Sequence, residues 1–148
     1  MDDRPVEWHR GEYTVSTRRD RLDPDRMLAL LREEHWGESL TRGVLERAVA
    51  HSVCFGLYHG TGLVGFGRVV TDLATYGYLT DVAVAPEHRG QGLGAWLVQC
   101  MLEHPELQGF RRLALLTRDA ERLYARAGFS PGPGALVYME RRPEKGPA

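Results

Sequence analysis

The spacing of hydrophobic residues changes several times along the chain between a helical pattern and a strand pattern. Repeats of three and four residues predict helices at 24–37, 93–104 and 119–127, and another from a cap at Ser39 or Thr41 to about residue 51. Alternating or continuous hydrophobic runs predict strands at 12–17, 53–58, 63–71, 76–84, 112–117 and 136–140, with a further strand beginning at Phe129. The resulting order, β-α-α-β-β-β-α-β-α-β-β, indicates an α/β domain whose mixed, mostly antiparallel sheet has helices on both faces.

Short polar and glycine signals support several of these boundaries. Asp23 precedes Pro24, which gives an N-cap followed by a proline in the first helical position. A four-residue turn at 59–62 joins two strand patterns and predicts a β-hairpin. The helix that begins after residue 92 crosses between two strands, so the strand at 112–117 is expected to run parallel to the strand at 76–84.

Length and composition narrow the class of protein. The 148 residues, of which 43% are hydrophobic and 26% charged, predict one domain over 1–148 with a solvated tail at 141–148. The net charge of −1 and the scattered arginines argue against binding to nucleic acid. No hydrophobic run approaches the ~18 residues of a membrane span, and the N-terminus lacks the pattern of a signal peptide. We therefore expect a cytoplasmic protein that binds neither nucleic acid nor membranes.

The reactive side chains limit the chemistry further. The only lysine is Lys145, so the folded part of the chain has none for Schiff-base catalysis or for a P-loop. Cys54 lies in a strand pattern and Cys100 on the hydrophobic stripe of a helix, which favours two buried free thiols over a disulfide or a nucleophile. The histidines and cysteines have no metal-ligand spacing, so no metal site is expected.

Residues 82–94 carry the strongest functional signal in the chain. They read Val-Ala-Val-Ala-Pro-Glu-His-Arg-Gly-Gln-Gly-Leu-Gly, a strand followed by a glycine-rich turn and the start of a helix. Gly90, Gly92 and Gly94 let successive backbone N–H groups point into one concavity at the positive end of the helix, which suits a phosphate or pyrophosphate. A turn that only connects a strand to a helix has the same composition, so the turn alone leaves both interpretations open.

The same residues also fit the GxGxxA variant of the dinucleotide-binding fingerprint, with Ala95 in its last position. The first glycine of that fingerprint follows its strand almost at once, whereas residues 86–89 intervene here. Too few residues follow Gly94 to complete a doubly wound sheet, and the preceding strands form an antiparallel hairpin where parallel units belong. A nicotinamide or flavin site is therefore disfavoured.

The glycine-rich turn is one of three segments that match a known family in register. Residues 89–94 read Arg-Gly-Gln-Gly-Leu-Gly, 82–86 read Val-Ala-Val-Ala-Pro, and 123–129 read Leu-Tyr-Ala-Arg-Ala-Gly-Phe. They resemble the acetyl-CoA loop, the strand end before it and the Leu-Tyr-x-x-x-Gly-Phe helix ending of the GCN5-related N-acetyltransferases, the GNAT superfamily. The resemblance covers 78–129 and implies a GNAT fold with acetyl-CoA as co-substrate, while the first fifty residues match in topology only.

The resemblance also implies which residues bind the donor. The pyrophosphate would lie on the backbone N–H groups of about 90–95, and the pantetheine arm would insert between the strands at 78–84 and 112–117. The implied CoA-binding residues are Val82, Ala83, Val84, Arg89, Gly90, Gln91, Gly92, Leu93, Gly94, Ala95, Thr117 and Tyr124. Thr117 stands where many members of the family have an asparagine, and its hydroxyl can still form hydrogen bonds.

Two of these residues would take part in the chemistry. The amide of Val84 would polarise the thioester carbonyl and stabilise the oxyanion. Tyr124 stands where family members place the general acid that protonates the departing CoA thiolate. The alternative for Tyr124 is an amphipathic tyrosine of the core.

The acceptor side must allow an amine to lose a proton before it attacks, since an alkylammonium group is charged at pH 7. Asp81 lies in an otherwise apolar strand pattern. It is either a functional carboxylate, acting as a base or binding the ammonium, or the salt-bridge partner of an arginine such as Arg68. Both interpretations remain open. Glu34, His35 and Trp36, at the end of the first helix, are candidates to line the acceptor pocket.

The predicted activity is transfer of an acetyl group from acetyl-CoA to a primary amine, on a small molecule, by direct attack in a ternary complex. A protein N-terminus or a lysine side chain is an alternative acceptor, and a CoA-binding regulatory module without turnover is an alternative function. Acyl groups longer than acetyl also remain open. A homodimer that pairs through the last strands follows from analogy with the family alone.

Overall fold

The secondary structure is taken from a computed structural model that describes residues 4–33 and 40–143. Within these residues the elements are β1 (Glu7–Arg10), β2 (Tyr13–Ser16), α1 (Pro24–Arg32), α2 (Arg42–Ala50), β3 (Val53–His59), β4 (Gly62–Thr71), β5 (Tyr76–Val84), α3 (Leu93–Glu103), β6 (Arg112–Leu115) and α4 (Glu121–Arg126). Short 3₁₀ turns lie at Arg19–Arg21, Pro86–His88 and Pro105–Leu107. None of the described helices is long and apolar enough to cross a membrane.

The described strands form one six-stranded sheet in the order β1-β2-β3-β4-β5-β6. Neighbours from β1 to β5 are antiparallel, and β6 is parallel to β5. Side chains alternate between the two faces of a strand. A Cβ atom at Gly67 of β4 would contact Met101 of α3, whereas the next residue, Arg68, bonds to Ser52 after α2. Helices therefore lie on both faces, and the predicted fold class is confirmed.

The hydrophobic core lies between the sheet and these two helical layers. Its largest fully buried side chains include Phe55 of β3, Phe66 of β4, Leu31 of α1 and Leu97 of α3. β3 is buried at every position from 53 to 58 because both of its faces are covered. This double burial explains why its sequence is a continuous hydrophobic run without alternation.

Side-chain caps fix the start of the first two helices. The Asp23 carboxylate accepts a hydrogen bond from the Arg26 backbone N–H at 3.2 Å, and the Thr41 hydroxyl accepts one from the Val44 N–H at 3.2 Å. Of the two caps predicted for α2, Thr41 is therefore the one that the structure shows. α1 ends at Arg32, before the predicted end near residue 37.

The N-terminal region forms a hairpin instead of the single strand predicted at 12–17. β1 pairs with β2 from Glu7 opposite Ser16 to Arg10 opposite Tyr13, and Gly11 at the turn has a φ of +59°. β1 contains one hydrophobic residue, Trp8, so the sequence has no alternation there that would reveal a strand. A hairpin with so little apolar surface depends on packing against the rest of the fold.

The two strands predicted after α4, beginning at Phe129 and spanning 136–140, are wrong. In the described part of the chain no strand follows β6. Leu136, Val137, Tyr138 and Met139 are between 60% and 85% exposed. A hydrophobic run of this kind becomes a strand only when it pairs with the edge of another strand, and local preference alone does not supply that partner. The observed order is β-β-α-α-β-β-β-α-β-α.

The strands β5 and β6 separate towards the end of β5. Their last paired residues are Leu79 and Leu115, while β5 continues to Val84. β6, at Arg112–Leu115, is two residues shorter than the strand predicted at 112–117. The predicted parallel pairing is confirmed, and from Thr80 onwards the edge of β5 that faces away from β4 has no partner among the described strands.

Candidate active site

The glycine-rich turn forms an open cradle at the start of α3. Gly90 and Gly92 have φ values of +83° and +75°, which lie in the left-handed region that favours glycine. Gly92 is the N-cap of α3, and its carbonyl accepts a hydrogen bond from the Trp96 N–H at 3.0 Å. A Cβ atom at Gly90 would have no other atom within 4 Å, so the glycine is required by conformation, and the cradle is open to a ligand.

A cleft of about 330 Å³ lies against this cradle. Seven of the residues expected to bind CoA line it: Val84, Arg89, Gly90, Gly92, Leu93, Gly94 and Ala95. Leu123 and Arg126 of α4 form its other wall. The cleft therefore combines the positive end of a helix with arginine side chains, as a site for a pyrophosphate requires.

Arg10 is a further cation beside the cradle, and it comes from β1. One of its terminal nitrogens, Nη2, lies 4.0 Å from where a Cβ atom of Gly92 would stand. Its guanidinium also lies 6.0 Å from the ring centroid of Trp96, within the range of a cation–π contact. Sequence reasoning missed Arg10 and Arg126, because only the fold brings β1 and the face of α4 to this turn.

The loop before the cradle is braced on two sides. The Arg89 Nε–H donates to the carbonyl of Val84 at 2.8 Å, which ties the loop to the end of β5. The Tyr13 hydroxyl lies 2.9 Å from Nδ1 of His88, which ties it to β2. These contacts hold the turn in place before a ligand binds, which lowers the entropic cost of binding.

The edge of β5 that has no partner among the described strands, which we call the unpaired edge, runs from the separation of β5 and β6 to this cradle. Val82 and Val84 are partly buried and Ala83 is buried. On the other edge, Ala83 pairs with Phe66 and Val84 with Gly65 of β4. The free edge leaves room for an extended chain to bind as an additional strand.

Tyr124 and Thr117 lie around α4, at the far side of the same region. Burial raises the pKa of the Tyr124 phenol, so its proton is retained throughout the neutral range. The ring packs edge to face against Phe129, with centroids 6.0 Å apart. The Thr117 hydroxyl accepts a hydrogen bond from the Ala120 N–H at 3.0 Å, so it supports the turn before α4. Neither residue lines the cleft, although Leu123, beside Tyr124, does.

Asp81 is the partner of Arg68, one of the two alternatives that the sequence left open. The Arg68 Nε–H donates to Asp81 Oδ2 at 2.6 Å, and the two side chains are only 17% and 13% exposed. Gln91, another expected CoA-binding residue, is exposed and donates from Nε2 to the carbonyl of His88 at 3.2 Å. Glu34, His35 and Trp36 lie outside the described residues.

The two cysteines are free and buried, as the sequence predicted. Burial raises the pKa of the Cys54 thiol to about 11 and that of Cys100 to about 12, so both are protonated at neutral pH. Among the described side chains, no group of three or more histidine, cysteine or acidic residues is arranged to hold a metal ion.

A model described as the acetyltransferase (GNAT) family matches residues 3–129. The chain belongs to this family. Two proteins named "putative acetyltransferase" are similar to this chain. One is from Gibberella zeae, and the other is known from a crystal structure of the Xanthomonas campestris protein. The first is 38% identical in an alignment 146 residues long that covers 83% of this chain and 81% of the relative. The second is 42% identical with a TM-score of 0.83, over 87% of this chain and 92% of that one.

A third relative, from Bacillus subtilis, bears the name "putative ribosomal protein bS18-alanine N-acetyltransferase" and is 32% identical over 100 residues, 64% of each chain. Membership of the GNAT family and these relatives make the protein an acyltransferase. Acetyl-CoA is the acyl donor typical of the family. The described residues suit this donor, because the cradle is open and the positive charges of Arg10, Arg89 and Arg126 lie beside it, which favours an anionic diphosphate.

Proposed function

We propose that this GNAT protein transfers an acetyl group from acetyl-CoA to the primary amine of a small molecule. The observation that carries the proposal is the continuity between the glycine cradle at the start of α3 and the unpaired edge of β5. A ligand that combines a diphosphate with an extended, amide-bearing arm fits both parts at once. CoA has this construction.

In the proposed complex, backbone N–H groups at 90–95 hold the diphosphate, and main-chain groups of 82–84 pair with the pantetheine arm. The Val84 amide donates to the thioester oxygen and stabilises the negative charge that develops there. Arg89 keeps the turn attached to the end of β5 through its bond to the Val84 carbonyl.

The transfer itself is a direct attack. The neutral amine nitrogen forms a bond to the thioester carbon and the carbon–sulfur bond breaks. The proton that the nitrogen loses passes through solvent to the Tyr124 oxygen, where it replaces the proton given to the departing sulfur. Tyr124 protonates the departing thiolate, which its retained proton allows. Neither buried cysteine is available as a thiolate to form an acyl-enzyme intermediate, which favours a ternary complex.

A protein N-terminus is the second candidate acceptor, and the Bacillus subtilis relative named for alanine acetylation favours it. The two acceptors differ in the opening that they require, since a peptide needs a groove and a small amine needs a pocket. Location in the cytoplasm, an extent of 1–148 for the domain and pairing into a homodimer remain predictions beside this proposal.

The deciding experiment measures free thiol released from acetyl-CoA in the presence of a panel of small amines and a panel of short peptides. Calorimetric titration with CoA runs in parallel. We expect CoA to bind and at least one small amine to be acetylated. Release with peptides alone would support the second candidate, and binding without release on either panel would indicate a regulatory module. The absence of binding to well-folded protein would refute the proposal.

A further inference from the structure

The middle of β5 contains a residue in a conformation that strands do not normally adopt. Asp81 has a φ of +58°, in the left-handed region. Residues with a Cβ atom rarely occupy this region, although aspartate does so more often than most. The pairing of β4 with β5 changes at the same place. Phe66 faces Ala83 and Arg68 faces Thr80, so β5 has one extra residue in this interval. Asp81 and Val82 therefore form a β-bulge.

A chain of hydrogen bonds attaches this bulge to α2. Arg68 Nε–H donates to Asp81 Oδ2 at 2.6 Å, and Arg68 Nη1–H donates to Ser52 Oγ at 3.0 Å. The Ser52 hydroxyl in turn donates to the carbonyl of Ala48 at 2.7 Å. Ser52 is 2% exposed, so the inner end of this chain is fixed in the core. We call the contact between Arg68 and Asp81 the bulge bridge.

The bulge lies where β5 loses its pairing with β6. The last paired residue is Leu79, and the bulge follows two residues later, at the start of the unpaired edge. Along a strand, successive side chains and backbone N–H groups point to opposite sides. One extra residue therefore reverses the direction of every group that follows. The bulge decides which amides of 82–84 face β4 and which face the opening between the strands.

We propose that Arg68 is a positioning residue, which uses the bulge bridge to hold Asp81 in its left-handed conformation and so directs the amides of 82–84 towards the thioester. Asp81 is then the anchor of the bulge, and it does not act as the base for the acceptor amine. This inference rests on the proposed function for its effect on turnover. The geometry that motivates it, the positive φ of Asp81 and its bond to Arg68, is independent of that function.

The anchor role and the base role predict different values of kcat for a conservative change at residue 81. Asp81→Asn retains an oxygen that can accept from Arg68 and tolerates the left-handed region, so we expect kcat within about threefold of the unaltered protein. Removal of a general base would instead lower kcat by about 100-fold or more.

Two double variants isolate the conformational effect. Arg68→Met with Asp81→Gly and Arg68→Met with Asp81→Ala both lack the two charges, and they differ only in one Cβ atom. Glycine adopts a positive φ without strain, whereas alanine does so at a cost equivalent to roughly tenfold in population. We therefore expect the kcat of the glycine variant to exceed that of the alanine variant by about tenfold, with little difference in KM for the amine.

Circular dichroism and thermal unfolding of every variant serve as the control for folding. The glycine double variant is expected to unfold at a temperature about 3 °C above that of the alanine variant. Equal turnover and equal unfolding temperatures of the two double variants would overturn the inference, as would an inactive Asp81→Asn protein that still folds. If the unaltered protein shows no turnover, the proposed function fails. The left-handed conformation at residue 81 is then judged by the unfolding temperatures of the two double variants, whose equality would refute it.

Discussion

At the scale of single residues, the proposed chemistry depends most on the proton of Tyr124. Burial raises the pKa of this phenol, so it is fully protonated at neutral pH and able to donate to a thiolate. We expect Tyr124→Phe to lower kcat by about 100-fold with little change in KM for acetyl-CoA, because the change removes the proton and leaves the ring. Thiol release under saturating donor measures the effect.

Tyr76→Phe is the matched control for this change. Tyr76 is 41% exposed at the start of β5, and it lies far along that strand from Val84. Its substitution is expected to leave turnover unchanged. An unaltered kcat in the Tyr124→Phe protein would return Tyr124 to the alternative that the sequence allowed, a tyrosine of the core that packs on Phe129.

At the scale of elements, the start of α3 is the part of the site that tolerates substitution least. Any other residue at position 92 would have to adopt a backbone φ of +75°, and its Cβ atom would stand 4.0 Å from Nη2 of Arg10. We expect Gly92→Val to abolish CoA binding, measured by calorimetry, while the circular dichroism spectrum persists. Gly43→Val is the control, because Gly43 lies in α2 with open space around it. Full affinity in the Gly92 variant would contradict a cradle made of backbone amides.

The hairpin of β1 and β2 supplies Arg10 to the same end of α3. We expect Arg10→Gln to weaken CoA binding by about tenfold, as expected for one lost hydrogen bond to a charged group. The affinity should also fall less steeply with added salt, because a phosphate partner has been removed. Calorimetry at two salt concentrations measures both effects, with Arg47→Gln on the exposed face of α2 as the control. Unchanged affinity and salt dependence would show that Arg10 serves only to pack on Trp96.

The elements that the sequence predicted correctly are those whose signals are local. The apolar repeat from Leu93, the cap at Asp23 and the turn at 59–62 each act within a few residues, so α3, α1 and the β3–β4 hairpin could be predicted. β1 could not, since its stability comes from contacts such as that of Trp8 with Phe55. The hydrophobic run at 136–140 has the local pattern of a strand but does not form one, because a strand also needs the edge of a neighbouring strand to pair with.

The candidate site divides in the same way. Its backbone cradle is encoded in one short segment, so the sequence could predict the glycine-rich turn and the start of α3 that form it. Arg68 was already one of the two alternatives offered by the sequence for Asp81, and the structure shows that contact. The bulge at Asp81 and the approach of Arg10 in β1 to α3 could not be predicted, because register and bulges across strands are specified by no local pattern.

At the scale of the whole molecule, buried thiols couple stability to alkaline pH. Burial raises the pKa of Cys54 from an ordinary 9.0 to about 11, and the residue is 3% exposed. The folded protein therefore keeps a proton that the unfolded chain loses. The stabilisation from the neutral thiol is fully present below pH 9, and it is lost as the pH rises through 11. Over this interval the free energy of unfolding should fall by about 1.4 kcal/mol per pH unit for this one group.

Cys54→Ala tests this coupling, since it removes the titrating thiol and leaves the other buried groups in place. The variant is expected to be less stable than the unaltered protein at pH 8, because the removed sulfur leaves a small cavity. Between pH 9 and 11 its stability should decline less steeply, by the same ~1.4 kcal/mol per unit. Urea unfolding at several pH values gives both curves. Parallel curves would show that the Cys54 thiol ionises as readily in the folded protein as in the unfolded chain. Its burial beside Arg68 would then make no contribution to the loss of stability at alkaline pH.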